Sequence, residues 1–429
     1  MTETLEAIPA AGAERVPSLW RNRDYMILWT GETVSSLGTS MSLFAYPLIG
    51  YALTHSTSRA ALAGAAFGLG GAVLRLPAGA LVDRWNRKAV MLASEGVGAL
   101  IYMSLAVAGL MGVLTLPHLV AAAFLTGAAG TFYGPAETAA IRTAVPAEQL
   151  PTAFSQNQAR QHLASLLGPP IGGALFALAR LLPFVFDAVT YTFSTLALTQ
   201  LRTPLPAPTT SEPTSIRADV VEGMRFMLSR GFLRAVVAFA ALANLAVSAL
   251  FLVIALKLLQ AGVAPAAIGA VEAIGAVAGI CGSIIAPAVI RRMPTGVLTI
   301  AAGTLLFLAA VPMAFTNNVI VIGTLLGVAL FATPAGNAAI LSYLSATTPD
   351  RLQGRSLAAL NFGATGLDWL GPVAGGALMA VFGGQAAMLG AAALLALSIS
   401  PLLLSSEART LPRPDRWPPA QPEAAPSVP

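Results

Sequence analysis

The chain has 429 residues, of which 56% are hydrophobic and only 10% charged, with a mean hydropathy of +0.75. Soluble domains carry roughly 25% charged residues, so this composition excludes an ordinary water-facing surface and makes lipid the solvent. The net charge of +5 falls in short loops between apolar runs rather than on a patch with interleaved aromatics, which argues against nucleic-acid binding.

Residues 1–24 lack the short apolar core and cleavage site of a signal peptide and read as a cytoplasmic N-terminal segment. Crossing about 30 Å of hydrocarbon takes roughly 20 apolar residues. Six windows in the first half, 25–201, meet that requirement: 26–53, 60–82, 89–113, 116–141, 152–178 and 182–201. Their apolar residues do not alternate, so they read as helices and not barrel strands. Charges inside such windows cost roughly 2.5–3.5 kcal/mol each and are candidate coupling or substrate residues. Glu32 lies about 9 Å and Arg75 about 10 Å from the inner end, at 1.5 Å per residue, so the two are expected to pair. Arg160 comes about 12 Å deep on the same scale. Gln156, Asn157, Gln158, Gln161 and His162 crowd the fifth window and suggest a partly polar cavity.

Residues 202–231 form the longest internal polar stretch. It opens Pro/Thr-rich, as a flexible linker does, and continues at 216–228 with apolar residues at helical spacing. That pattern predicts an amphipathic helix on the inner membrane face. The second half, 232–404, holds windows at 232–259, 264–290, 296–315, 319–344, 357–382 and 386–404. Glu272 stands in the eighth without an evident cation partner. Asp368 stands in the eleventh, about 16 Å deep. Residues 405–429 are proline-rich and read as a disordered cytoplasmic tail.

Nineteen of the 24 Lys and Arg residues fall on one side if the N-terminus is inside. This positive-inside bias predicts a multi-pass protein of the cell inner membrane with both termini cytoplasmic. The run Pro135-Ala-Glu-Thr-Ala-Ala-Ile141 recurs as Pro334-Ala-Gly-Asn-Ala-Ala-Ile340. Likewise Gly168-Pro-Pro-Ile-Gly-Gly-Ala-Leu175 recurs as Gly371-Pro-Val-Ala-Gly-Gly-Ala-Leu378. Two matches in register mark two homologous halves, the architecture that alternating access requires. Within the second pair, Pro169 and Pro372 remove backbone donors and are expected to bend their helices. Gly168, Gly172, Gly173, Gly371, Gly375 and Gly376 permit close packing.

After the second window the chain reads Gly79-Ala-Leu-Val-Asp83-Arg84-Trp85-Asn86-Arg87-Lys88. This resembles the Gly-x-Leu-x-Asp-Arg-x-Gly-Arg-Lys loop of the major facilitator superfamily. Asn86 replaces the usual glycine, and asparagine is the next best residue for a left-handed turn, so the turn is expected to survive. The resemblance implies a gating latch: Gly79 allows close approach, Asp83 receives charge-assisted hydrogen bonds, and Arg84, Arg87 and Lys88 hold the inner surface. The second-half counterpart, Ile290-Arg291-Arg292-Met293, has no aspartate, so the role is not carried there. The Gly-Pro-x-x-Gly-Gly runs look like a motif associated with exporters. The opening Leu19-Trp20-Arg21-Asn22-Arg23-Asp24-Tyr25, with Trp29, Ser36-Leu37-Gly38 and Phe186-Asp187-Ala188, is similar to the branch of macrolide-efflux and enterobactin-export proteins among drug:proton antiporters. That likeness places Glu95 and Asp187 on peripheral helices, as structural residues. The arginine that many proton-coupled exporters carry in helix four is missing.

The resemblance therefore implies an all-α membrane protein of twelve transmembrane helices in two homologous six-helix bundles. It implies a secondary active transporter performing proton-coupled efflux of a small amphipathic compound, such as an antibiotic, a siderophore or another secondary metabolite. Import on the same fold and a non-transporting sensor stay open as alternatives. Its partners would be the small-molecule substrate, protons and the lipid bilayer, with the chain monomeric. An enzyme is disfavoured: there is no His-Glu-x-x-His, no Walker loop, and His55, His118 and His162 fall in different regions. No metal and no cofactor is expected. The single cysteine, Cys281, excludes an intrachain disulfide.

Overall fold

The computed structural model describes residues 18–82, 84–205 and 216–417. Among them every regular element is helical, as a bilayer demands, since only helices satisfy their backbone groups within one span. The first half contains α1 (Arg23–Thr54), α2 (Thr57–Val82), α3 (Arg87–Leu110), α4 (Leu116–Ala144), α5 (Leu150–Leu178) and α6 (Leu182–Thr199). The connector carries α7 (Ile216–Ser229). The second half contains α8 (Gly231–Gln260), α9 (Pro265–Arg292), α10 (Thr295–Met313), α11 (Val319–Phe331), α12 (Thr333–Thr347), α13 (Asp350–Thr365) and α14 (Leu370–Leu404), and α15 (Ser406–Thr410) follows.

Twelve crossings result. Helices α11 and α12 make one crossing, interrupted only at Ala332. At 35 residues, α14 would be about 52 Å long as one straight helix, too long for one crossing. It divides at Gly383, whose φ of 82° only glycine adopts freely. Its first part completes the crossing begun by α13, and its second part is the twelfth.

Nine stretches are long and apolar enough to span by composition alone, the last of them covering both final crossings. Helices α1 and α5 are not among the nine, because α1 carries Glu32 among serine and threonine hydroxyls and α5 carries Arg160 among amide side chains. Those two polar helices pack on one another, and that pairing concentrates the buried chemistry of the first half.

The apolar core is one body at one end of the molecule and separate bodies at the other, including a small one around Leu298 and Ala339 in the second half. A single cluster joins Tyr46, Phe184, Leu252, Val271 and Leu395, residues of both halves. Toward the end where α1 begins and α14 finishes, the core splits into a first-half cluster around Tyr25 and Ile141 and a second-half cluster around Phe232 and Tyr343. The halves are thus fused at the far end and separate at the terminal end.

Each half is clasped at its terminal end by the chain that leaves its sixth helix. In the first half, Asp24 accepts hydrogen bonds from the backbone N–H of Arg202 (3.3 Å) and Thr203 (2.7 Å) and from the Thr203 hydroxyl. The Arg87 N–H donates to the Leu205 carbonyl at 3.3 Å. In the second half, the Phe232 N–H donates to Glu407 at 2.9 Å, and the N–H groups of Thr295 and Gly296 donate to the carbonyls of Pro412 (3.2 Å) and Leu411 (3.4 Å). The Trp417 indole donates to Thr295 Oγ1 at 3.2 Å and packs edge-on against Tyr343. The first N–H groups of a helix have no partner inside it, and the clasps supply one for helices three, seven and nine of the bundle, while on helix one the Asp24 side chain is the acceptor.

Two expectations change here. Residues 405–417 of the tail are an ordered clasp, while 418–429 lie outside the described residues. Asn86 is not in a left-handed turn: its φ is −63°, and its side chain caps α3 by accepting from the Ala89 N–H at 3.1 Å. Asparagine fits this loop as a helix N-cap. Helix α7 packs against α13, where Arg355 pairs with Glu222 and Gly223 lets the Arg355 carbonyl approach.

Candidate functional site

The repeated glycine runs form the seal at the far end. On α5, a Cβ at Gly173 would stand 2.4 Å from the Pro265 carbonyl oxygen at the start of α9; on α9, one at Gly269 would stand 2.3 Å from that of Pro169. The equivalent contact in the other copy joins α14 and α2: a Cβ at Gly376 would lie 2.3 Å from Ala61 Cβ and 2.9 Å from the Thr57 carbonyl. There the Thr57 hydroxyl donates to the Gly376 carbonyl at 3.2 Å. The other glycines face inward within each half, Gly168 and Gly172 against Ser40 and Met41 of α1, Gly371 and Gly375 against Leu245 and Ala249 of α8. Pro169 and Pro372 leave α5 and α14 unbroken at these points.

Beyond that seal the helices part around a cavity of about 640 Å³, walled by both halves. Phe44, Phe251 and Leu252 give it an apolar wall, and His162, Ser165 and Asn337 add polar groups. Among the described residues, Glu272 is the only acid in its lining. It sits one turn along α9 from Gly269, at the roof of the cavity, and among the described residues no side chain pairs with it.

The expected pair of Glu32 and Arg75 is not formed. Arg160, 1% exposed, takes the place of Arg75: its guanidinium lies 3.1 Å from Glu137 on α4 and 3.9 Å from Glu32 on α1. Arg75 instead donates to Thr365 of the other half and lies within electrostatic reach of Asp368. Asp368 keeps a buried oxygen without a hydrogen bond. Arg75 and Asp368 are therefore a meeting of the two halves. Glu95 and Asp187, expected as structural residues on peripheral helices, are 3% and 0% exposed inside the first half. Asp187 accepts from the Thr190 hydroxyl at 3.1 Å and lies so close to α1 that a Cβ at Gly38 would stand 2.3 Å from its oxygen.

Glu137 was missed by the sequence reading. Its signal lay in the repeat itself, where the second copy carries Gly336 at the matching position. A carboxylate inserted into an otherwise repeated apolar run is costly in lipid and therefore a candidate for an ion pair.

In the latch loop, Asp83 lies outside the described residues, and Gly79 is within the last turns of α2. Arg84 is exposed. Lys88 donates to the carbonyls of Leu201 (2.7 Å) and Thr199 (3.1 Å), so it and the Arg87 backbone serve the first-half clasp. Among the described residues no group of three or more His, Cys, Asp or Glu side chains is placed to hold a metal.

Two six-helix bundles fused at one end around a central cavity define a polytopic membrane transporter fold. Residues 28–367 match the family model of the Major Facilitator Superfamily. The chain belongs to that superfamily. Among solved structures, it is similar to a bacterial homologue of the human lysosomal transporter Spinster in an inward-facing, unoccupied conformation. That match has a TM-score of 0.73 at 15% identity and covers 94% of this chain and 100% of the other. It is also similar to a variant of the nucleoside transporter NupG (TM-score 0.71, 12% identity, 89% and 100% covered). A third similarity is to a POT family transporter in complex with a thioalcohol-conjugated peptide (0.70, 12%, 90% and 97%). At these identities the likeness is one of fold. Comparison with curated proteins gives no match.

Proposed function

We propose that this chain is a secondary active transporter that exports a small amphipathic compound by alternating access, driven by proton entry. It would work as a monomer in the cell inner membrane, with both termini and residues 202–231 in the cytoplasm. The observation that carries this reading is the asymmetric core: the halves share one apolar cluster at the far end and separate at the terminal end, around a cavity of 640 Å³. That is one of the two states alternating access needs. The glycine contacts seal the far end through backbone and small side chains only, so the seal can part without unpairing buried charges. With the termini inside, the cavity faces the cytoplasm and can collect substrate there or from the inner leaflet. The loop with Asp83, Arg84, Arg87 and Lys88 would latch the terminal end in the opposite state.

Proteoliposomes test this. Purified protein with an imposed pH gradient should move an amphipathic fluorescent probe against its concentration gradient, and a protonophore should stop it. Accumulation that ignores the protonophore removes the proton coupling, and accumulation in the opposite direction makes the protein an importer.

A further inference from the structure

A separate cavity, of about 450 Å³, opens at the far end of the first half. It lies between the end of α1, the end of α3 with the turn after it, and the turn from α5 into α6, and its walls include Ile49, Leu53, Leu110, Leu114 and Val185. It shares no lining residue with the central cavity. Among the described residues, Arg180 is the one side chain in the lining that carries a polar group. Beside it Leu110, Met111 and Leu178 are 77%, 70% and 78% exposed. Apolar side chains clustered so openly on a membrane-spanning bundle face lipid.

Arg180 stands in an unusual place for a cation. The turns at the far end, residues 55–56, 111–115, 179–181, 261–264, 314–318 and 383–385, contain no Asp or Glu. Basic residues concentrate at the terminal end, as the positive-inside rule requires. Lys257, another cation at the far end, is engaged by the backbone: it donates to the carbonyls of Met313 (2.9 Å), Ala314 (3.0 Å) and Thr316 (2.8 Å). Arg180 has no such use. Among the described residues it makes no ion pair and no side-chain hydrogen bond.

A guanidinium with free donors beside an apolar cavity suits an anion that carries hydrocarbon. Arginine meets a phosphate with two parallel hydrogen bonds, and its stem lies along apolar surface while its head stays at the level of the lipid headgroups. The walls are as apolar as the bilayer interior, so an acyl chain enters without a change of solvent. The volume is about fifteen times the roughly 30 Å³ share of one liquid water, room for a length of chain that a small ion would leave empty. With no carboxylate in these turns, nothing holds the ammonium of a zwitterionic head. A head of net negative charge is favoured.

We propose that this cavity binds an anionic phospholipid from the leaflet at the far end, its phosphate on Arg180 and one acyl chain between α1, α3 and α6. The inference rests on the membrane-spanning fold and is independent of what the chain transports. The lipid is a bound component and not cargo, since its site and the central cavity have no wall in common.

Photolabelling of the purified full chain in phosphatidylcholine nanodiscs reads this directly. The probe is phosphatidylglycerol with a diazirine on one acyl chain, set beside phosphatidylcholine with the same chains, and labelled peptides are mapped by mass spectrometry. Segments 49–53, 109–114 and 179–185 of the parent should take about fivefold more label from the anionic probe than from the zwitterionic one, the preference one basic residue gives at a membrane surface. Arg180→Gln should lose that preference in these segments and leave label elsewhere unchanged, while Arg180→Lys should keep part of it. Ala52→Phe, which fills the cavity and spares Arg180, should cut the label from both probes severalfold. Equal labelling by the two probes in the parent, or an unchanged preference in Arg180→Gln, overturns the proposal. Full labelling of Ala52→Phe overturns it too, because the chain would then lie outside the cavity. So does loss of the label in millimolar glycerol phosphate, which would make Arg180 a site for a free phosphate.

Discussion

Arg160 on α5 and Glu137 on α4 form a buried ion pair, 3.1 Å apart, that ties the fourth and fifth helices of the first half to each other and, through Glu32, to the first. Two further nitrogens of the same guanidinium are buried without hydrogen bonds. Removing one member of such a pair leaves an uncompensated buried charge and costs about 3–5 kcal/mol. We therefore expect Arg160→Met to be strongly destabilising and the double change with Glu137→Gln to recover part of the loss, a coupling that a double-mutant cycle isolates. Thermal unfolding in detergent reads both. Additive effects would show that the contact is incidental.

Gly173 and Gly376 have no room for a side chain at the seal between the halves. Gly376→Val should push α14 away from α2 and shift the population toward a state open at the far end. Spin labels at Arg59→Cys and Gln385→Cys, with Cys281 replaced by serine, should report longer distances than in the parent. An unchanged distance distribution together with full transport would show that the glycine contact does not set the state.

The Asp24 clasp predicts a pH signature. Burial pushes the Asp24 carboxyl up, but the hydrogen bonds from Thr203 and Arg202, with help from Arg23, outweigh it and hold the group below its ordinary range. A depressed folded pKa contributes stability above the unfolded value and loses it as pH falls through the folded one. Asp24→Asn should therefore melt below the parent at pH 6, and the difference should shrink as pH falls below about 4. The effect is small because the half-buried carboxylate is still partly screened by water. A constant difference across that window would assign it to packing.

Glu272, alone at the roof of the cavity, should govern the charge of what is carried. Glu272→Gln keeps the shape and removes the charge. We expect it to abolish gradient-driven efflux of cationic probes or to narrow transport to neutral ones. Equal rates for both classes in parent and variant would make Glu272 a bystander and pass the role to Glu32 or Asp368.

The latch is open to a similar test. Asp83→Asn should leave expression intact and cut transport strongly, since the loop would have to make and break charge-assisted bonds in each cycle. Parental transport rates in a well-expressed variant would remove the loop from the cycle.

What the sequence determined by itself follows from solvent and repetition. The near absence of charge inside twenty-residue windows dictated helices across a bilayer, and the paired Pro135/Pro334 and Gly168/Gly371 runs dictated two related halves. It also marked Glu32, Arg160, Glu272 and Asp368 as costly and therefore purposeful. Which of them meet was decided only by tertiary structure. Rise per residue gives a depth along a helix but not the direction a side chain points or which helix stands opposite. By depth alone Glu32 and Arg75 matched. Close packing of α1 on α5 through Gly168 and Gly172 instead brings Arg160 to Glu32, while α2, which packs against the second half, presents Arg75 to Thr365. The clasps were hidden for a related reason. Their proline-rich residues resemble a disordered tail in composition, and they are ordered because the unpaired N–H groups at the starts of α8 and α10 donate hydrogen bonds to a chain that only the folded bundle brings back to them.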